Sequence, residues 1–254
     1  MRKRCFALCM AALLLLTACS EERTADPGGE PAVSPESAGN TANEETTPPA
    51  GETEEESVEV VVEPYADGLN WIVEQNEKLP EGEKIRVVSV SAAPSGEWSP
   101  FTENLEMWDQ AVEAAQAAGI VVLDCRPGED TGIIFPAFYD PADPENVTAC
   151  TGGWPDSPQQ IDSSQIGVPT SYRTVAEEYW EGETSYQYTG IGGLSWGIPY
   201  AAGVLALGWQ VAPELDGETM LQLLKDTCAT AHDGSRIIDP AAFIEAVREA
   251  HGQS

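Results

Sequence analysis

Ser195 follows the pair Gly192-Gly193 by two residues and precedes a run of apolar and small residues, Ile198 to Gln210. This arrangement suits a nucleophile. The first turn of a helix leaves amides without intrahelical acceptors, and the helix dipole adds positive potential there. Glycines just before the turn let a substrate carbonyl approach the backbone. A serine hydroxyl is a weak nucleophile alone, however, and needs a neighbouring base to become useful. The only histidines, His232 and His251, both follow Ser195, and Thr230-Ala231-His232-Asp233-Gly234 reads as a surface turn. No pair among Cys125, Cys150 and Cys228 has metal-ligand spacing, and neither a metal nor another cofactor is expected.

The elements around this segment suggest an α/β domain. Asp67 to Leu79 has helical spacing, with Leu69, Ile72, Val73 and Asn76 on one side. Ile85 to Ser91 is rich in β-branched residues and reads as a strand. Leu105, Trp108, Val112 and Ala115 recur at helical spacing, with Asn104 as cap and Gly119 as stop. Ile120 to Leu123 is a fully apolar strand. Strand, helix, strand at this spacing predicts a crossover and a parallel sheet. Between Phe135 and Ser185 the pattern is broken by Pro, Asp and Gly, with short strands expected near Val147 to Cys150 and near Ile166. The helix from Ile198 is apolar on nearly every side and belongs inside a domain, with Pro199 accommodated in its first turn. Asp216 caps the next helix, and Asp239-Pro240 opens the last one. Val58 to Glu63 reads as a further short strand. Tyr179, Trp180, Tyr186 and Tyr188 are expected to pack in the core rather than line a cleft.

Gly193, Ser195, Pro199 and Ala202-Gly203 resemble the serine motif of subtilisin-like serine proteases, although Leu194 and Gly197 depart from it. The resemblance extends over about Asp67 to Ala250, with Val87 to Ser91 similar to the strand that leads into the family's substrate cleft. It implies a mostly parallel sheet flanked by helices, partly subtilisin-like. It also implies Ser195 as nucleophile, a substrate line along Ser91, Ala92 and Ala93, and Gly128 as the counterpart of the oxyanion position. The family's catalytic Asp and His precede the serine. No histidine lies between Cys19 and Ser195, and the segment from Asp124 to Asp130 lacks the oxyanion asparagine. Peptidase activity by this chain alone is therefore not expected. Two readings follow: a family member that is degenerate or takes its Asp and His from another exported chain, or a non-catalytic scaffold that binds an extended peptide or protein. An internal deletion in the gene would give the same pattern.

The N-terminal residues predict export. Arg2, Lys3 and Arg4 precede an apolar stretch, Phe6 to Leu16, that is too short to span a membrane. Leu16-Thr17-Ala18-Cys19 matches a bacterial lipobox, which implies cleavage before Cys19, lipid on its sulfur and an extracytoplasmic, membrane-anchored location. Residues 1–18 are then a signal peptide, residues 19–57 a lipidated cysteine and stalk, and residues 58–254 the folded domain. Ser20 to Ser57 holds 11 acidic residues and almost no large apolar one, a composition that cannot offset its ordering entropy. The net charge of −31 repels phosphate backbones and excludes nucleic acid as a partner. Of the six cysteines, Cys125, Cys150 and Cys228 remain in the domain, either as three thiols or as one disulfide and one thiol.

Overall fold

The computed structural model describes residues 61–126, 132–144, 146–178 and 184–252. These fall within one compact unit, Glu59–Ser254. Helix α1 spans Glu63–Lys78, four residues earlier than the periodicity predicts. Pro64 supplies a preset φ at its start, and Glu63 and Lys78 complement the dipole at its two ends. Val62 is its N-cap, so Val61 and Val62 lead into a helix rather than forming the expected strand. Residues 58–60 of that expectation lie outside the described residues. Asn76 is buried at the far end of α1, where its side chain donates to the Ile85 carbonyl (3.1 Å) and accepts from the Ile85 amide (2.7 Å). This pair fixes where the chain enters strand β1, Val87–Val90.

Helix α2, Leu105–Ala117, packs beside α1 and leads to strand β2, Val121–Asp124. Gly119 ends α2 with φ +76°, a conformation that other residues rarely adopt. Asn104 sits at the N-cap but does not cap: its side chain donates instead to Glu63 (2.6 Å) and ties α2 to α1. β1 and β2 pair in parallel, Val87 with Val121 through Val90 with Asp124, as the strand-helix-strand pattern requires. The side chains of β1 alternate between two cores. Val88 and Val90 pack under α1 and α2 with Trp108 and Val122, whereas Val87 packs on the other face with Leu123 and Ile198.

The larger sheet is mixed. It contains β3 (Ile134–Phe138), β4 (Thr151–Trp154), β5 (Ser157–Pro158), β6 (Ile166–Ser171), β9 (Ala229–Thr230) and β10 (Arg236–Ile237), in the order β5-β4-β3-β6-β10-β9. β6 pairs in parallel with both β3 and β10, while β4, β5 and β9 add antiparallel margins. Val147–Ala149 forms a short 3-10 turn, so the strand expected there begins only at Thr151. β7 (Arg173–Glu178) and β8 (Thr184–Gly190) form a separate antiparallel hairpin.

Helix α3 runs Leu194–Val211 across the inner face of the sheet, burying Ile198, Ala201 and Leu205 against Ile134, Ile166 and Val168. It begins four residues before the expected start. Pro199 is consequently its sixth residue, beyond the first turn, and cannot donate to the Ser195 carbonyl. α3 is also not enclosed on every side. Trp196, Pro199, Gly203 and Leu207 form an exposed stripe along it. Helix α4, Gly217–Asp226, is capped by Asp216, which accepts from the Thr219 amide at 2.7 Å. Helix α5, Pro240–His251, is capped by Asp239, which accepts from the Ala241 and Ala242 amides.

Candidate functional site

Three pieces of chain meet where the sequence places the nucleophile: the end of β1, the end of β2 and the start of α3. Gly192 holds α3 against β6. A Cβ on Gly192 would lie 2.4 Å from the Thr170 carbonyl oxygen, so only glycine fits there. The Gly192 amide also donates to the Ser171 hydroxyl at 3.3 Å. Gly193 is different: it is extended, and a side chain there would meet nothing closer than 3.7 Å. Packing therefore requires the first glycine and leaves the second free to vary.

Ser195 is the second residue of α3, and its side chain is exposed. Its hydroxyl donates a long hydrogen bond, 3.4 Å, to the Ser91 carbonyl. In return the Ser91 hydroxyl donates to the Ser195 carbonyl at 3.0 Å. The second bond follows from Pro199. In a regular helix the amide of residue 199 would satisfy that carbonyl, and proline has no amide to give. Ser91 supplies the missing donor from outside the helix and ties the end of β1 to the start of α3. Ala92 follows, and its carbonyl accepts from the Cys125 amide at 2.9 Å. Ala93 is buried, so the exposed part of the expected substrate line is Ser91 and part of Ala92. Ser91, Ala92 and Ser195 are thus brought together. Gly128 lies outside the described residues, as do Asp130 and Thr131.

Neither imidazole serves Ser195. His251 Nδ1 is 2.6 Å from Glu214 Oε1 at the end of α5. His232 is exposed in the turn between β9 and β10, and its amide donates to the Thr148 carbonyl. It lines a shallow cavity with Asp140, Asn146, Thr148 and Ala149. The side chain beside Ser195 is Cys125. Burial first, and then the charge of Asp124, push its thiol up to about 12, with the Ser195 hydroxyl opposing. At neutral pH this is a protonated thiol, neither a base for Ser195 nor a nucleophile itself. The structure has Cys125, Cys150 and Cys228 as free thiols. Among the described residues no group of three or more His, Cys, Asp or Glu side chains is placed to hold a metal ion.

Behind Cys125 lies a polar network that the sequence does not reveal. Asp124 is fully buried and accepts from the Trp108 indole (3.0 Å), the Arg126 amide (3.0 Å) and Arg126 Nε (2.8 Å). Arg126 also donates to Ser95 (2.8 Å) and pairs with Asp109, to which Ser95 donates at 2.7 Å. Burial raises the Asp124 carboxyl above its usual range, against the pull of the Arg126 guanidinium. The network clamps the chain leaving β2 to the turn that follows β1. Its one sequence signal is an acid closing an otherwise apolar strand, Val121 to Asp124. Tyr186 is largely exposed, contrary to the expected core packing. Tyr179 and Trp180 lie outside the described residues.

The coordinates resemble solved proteases. The protease domain of PatA, in a form carrying alanine for serine, superposes with a TM-score of 0.50 at 13% identity, covering 75% of this chain and 67% of that one. The fold is subtilase-like. The same shares of both chains match in the assembly of the subtilase cytotoxin SubAB, with a TM-score of 0.49 at 11% identity. Fervidolysin from Fervidobacterium pennivorans, a keratinolytic enzyme related to subtilisin, gives 0.46 at 15% identity over 72% of this chain and 29% of its own. No family model and no curated protein matches the sequence. The subtilase-like fold accounts for the parallel strands packed against α3. The likeness covers about two thirds of the PatA domain.

Proposed function

We propose that this chain is an exported, lipid-anchored protein of subtilase-like fold that retains a peptide-binding cleft but does not hydrolyse peptides by itself. One observation carries the reading. The Ser195 hydroxyl bonds to a backbone carbonyl and lies beside a protonated thiol, with no base among the described residues to take its proton. In serine proteases a nucleophile stripped of its triad partners retains only about 10³–10⁴-fold over water. Loss of an oxyanion side-chain donor costs about 10²–10³ more. Catalysis then requires an Asp and a His from another exported chain, and without one the cleft is a scaffold for an extended segment. Lipid on Cys19 and the acidic residues from Ser20 to Ser57 hold the domain at the outer face of a membrane.

Hydrolysis of a fluorogenic peptide library tests this reading. The full chain and its Ser195→Ala variant are expected to give the same background rate, and to bind a non-hydrolysed extended peptide equally well. Turnover by the unaltered chain that vanishes in the variant would overturn it. The anchor is tested separately: Cys19→Ala should release the protein from the membrane fraction, and retention of that variant would refute lipidation at this residue.

A further inference from the structure

The two-stranded sheet of β1 and β2 is parallel and lies between two layers of helix, yet among the described residues β1 has a neighbour on one side only. Parallel strands are ordinarily enclosed, and an open edge invites another strand. The Arg86 and Ala92 carbonyls accept from the Val121 and Cys125 amides, so even-numbered residues along β1 direct their backbone groups at β2. Val87 and Ser89 direct theirs outward, and among the described residues nothing bonds to them. Val87, Val88 and Val90 are only half-buried, whereas every residue of β2 is buried.

A second uncovered surface adjoins this edge. The α3 stripe of Trp196, Pro199, Gly203 and Leu207 begins one residue after Ser195, where Ser91 joins α3 to the end of β1. Trp196 is 52% exposed and Leu207 47%, and no atom lies within 4 Å of where a Gly203 side chain would start. The faces of α3 toward the sheet, with Ile198, Ala201, Val204 and Leu205, are buried. A strand edge short of a partner and an interior helix short of a cover thus meet at one place.

We propose that the outer edge of β1, with the exposed stripe of α3, is a docking surface for an extended, basic strand of another protein. Charge selects this occupant. A second copy would bring a like net charge of −31, and the chain's own Ser20–Ser57 segment carries 11 acids, so both are repelled. A cationic strand gains the field and also supplies main-chain donors and acceptors to Val87 and Ser89, the strand-addition mode of peptide recognition. This deepens the reading of the cleft as a binding surface by naming the chemistry of its partner.

The test uses the full chain and three peptides of equal length: alternating Lys-Val, alternating Lys-Gly and alternating Glu-Val. Only Lys-Val combines positive charge with strand propensity, and it is expected to slow amide exchange at Val87 and Ser89 by about tenfold or more, less so at high salt. Ser89→Pro removes an outward amide without touching the β1–β2 ladder, as an edge strand tolerates. It should abolish the Lys-Val effect at Val87, and Trp196→Ala should weaken binding several-fold. The proposal is overturned if Glu-Val binds as well as Lys-Val, or if Ser89→Pro binds undiminished. It is equally overturned if Val87 and Ser89 are already protected without peptide. Protection that depends on protein concentration would assign the edge to a second copy, and protection independent of it to the chain's own segment. These readouts follow binding to the β1 edge rather than turnover, so hydrolysis remains a separate question.

Discussion

Replacing Asp124 tests whether the network behind Cys125 holds the site together. Asp124 is fully buried and accepts three hydrogen bonds, two of them from Arg126. Asp124→Ala strips Arg126 of one anionic partner and leaves the Trp108 indole without its acceptor. Removing one member of a buried ion pair costs about 3–5 kcal/mol. Arg126 keeps Asp109 and Ser95, which places this loss near the lower end, at about 3 kcal/mol. For a domain of this size that corresponds to a fall in Tm of about 6–12 °C. Asp124→Asn keeps the shape and one acceptor and should cost less, about 1–2 kcal/mol. The pH dependence gives a further check. The carboxyl is raised above its usual range by burial, so the folded state binds the proton more readily than the unfolded state does. Its contribution to stability is full below the unfolded value and is lost as pH rises through the folded one. The advantage of the unaltered chain over Asp124→Asn should therefore grow as pH falls from neutral toward 4. Urea denaturation at several pH values measures all of this. A loss below about 0.5 kcal/mol for Asp124→Ala would refute the reasoning, as would an advantage that grows with rising pH.

Three other outcomes follow from the same geometry. Cys125, pushed up to about 12, should react with iodoacetamide at pH 8 roughly 10³-fold more slowly than an ordinary thiol and gain about tenfold per pH unit; alkylation kinetics with peptide mapping would show it. Ser91→Ala removes the donor that replaces the missing Pro199 amide and should lower stability by about 1 kcal/mol, whereas in a Pro199→Ala background the same change should cost much less. A double-mutant cycle in Tm reads this coupling, and strict additivity would refute it. Gly192→Ala places a Cβ against the Thr170 carbonyl and should destabilise by about 1–3 kcal/mol, while Gly193→Ala should be nearly neutral by the same thermal assay.

Where the determinants are local, the sequence reads correctly. Asp216 and Asp239-Pro240 carry their caps within three residues, and Gly119 stops α2 by its own backbone conformation. The parallel pairing of β1 with β2 follows from the apolar strands on either side of α2. Where partners are distant, local reading fails. Asn104 has cap chemistry, but Glu63, 41 residues away, captures its side chain. Pro199 argues for a helix starting near Ile198, yet α3 begins at Leu194 because Ser91, 104 residues from Ser195, satisfies the carbonyl that proline leaves open. The Asp124-Arg126-Asp109-Ser95 cluster joins two turns through side chains alone, which no periodicity records. The β7–β8 hairpin escapes even though Tyr186 and Tyr188 alternate with Ser185, Gln187 and Thr189, because the acids Glu177, Glu178, Glu181 and Glu183 interrupt the pattern. Of the candidate site, the sequence points to Ser91 and Ser195, which the fold brings into contact, but not to the thiol beside Ser195.

The central claim is that no group draws the proton from the Ser195 hydroxyl. A fluorophosphonate probe reports this directly, because it phosphonylates only an activated serine. Time-resolved labelling of the full chain, read by mass spectrometry of the peptide containing Ser195, should match that of an exposed serine elsewhere on the surface and that of the urea-unfolded chain. Rapid, stoichiometric labelling of Ser195 in the folded chain alone, abolished by unfolding, would contradict the account.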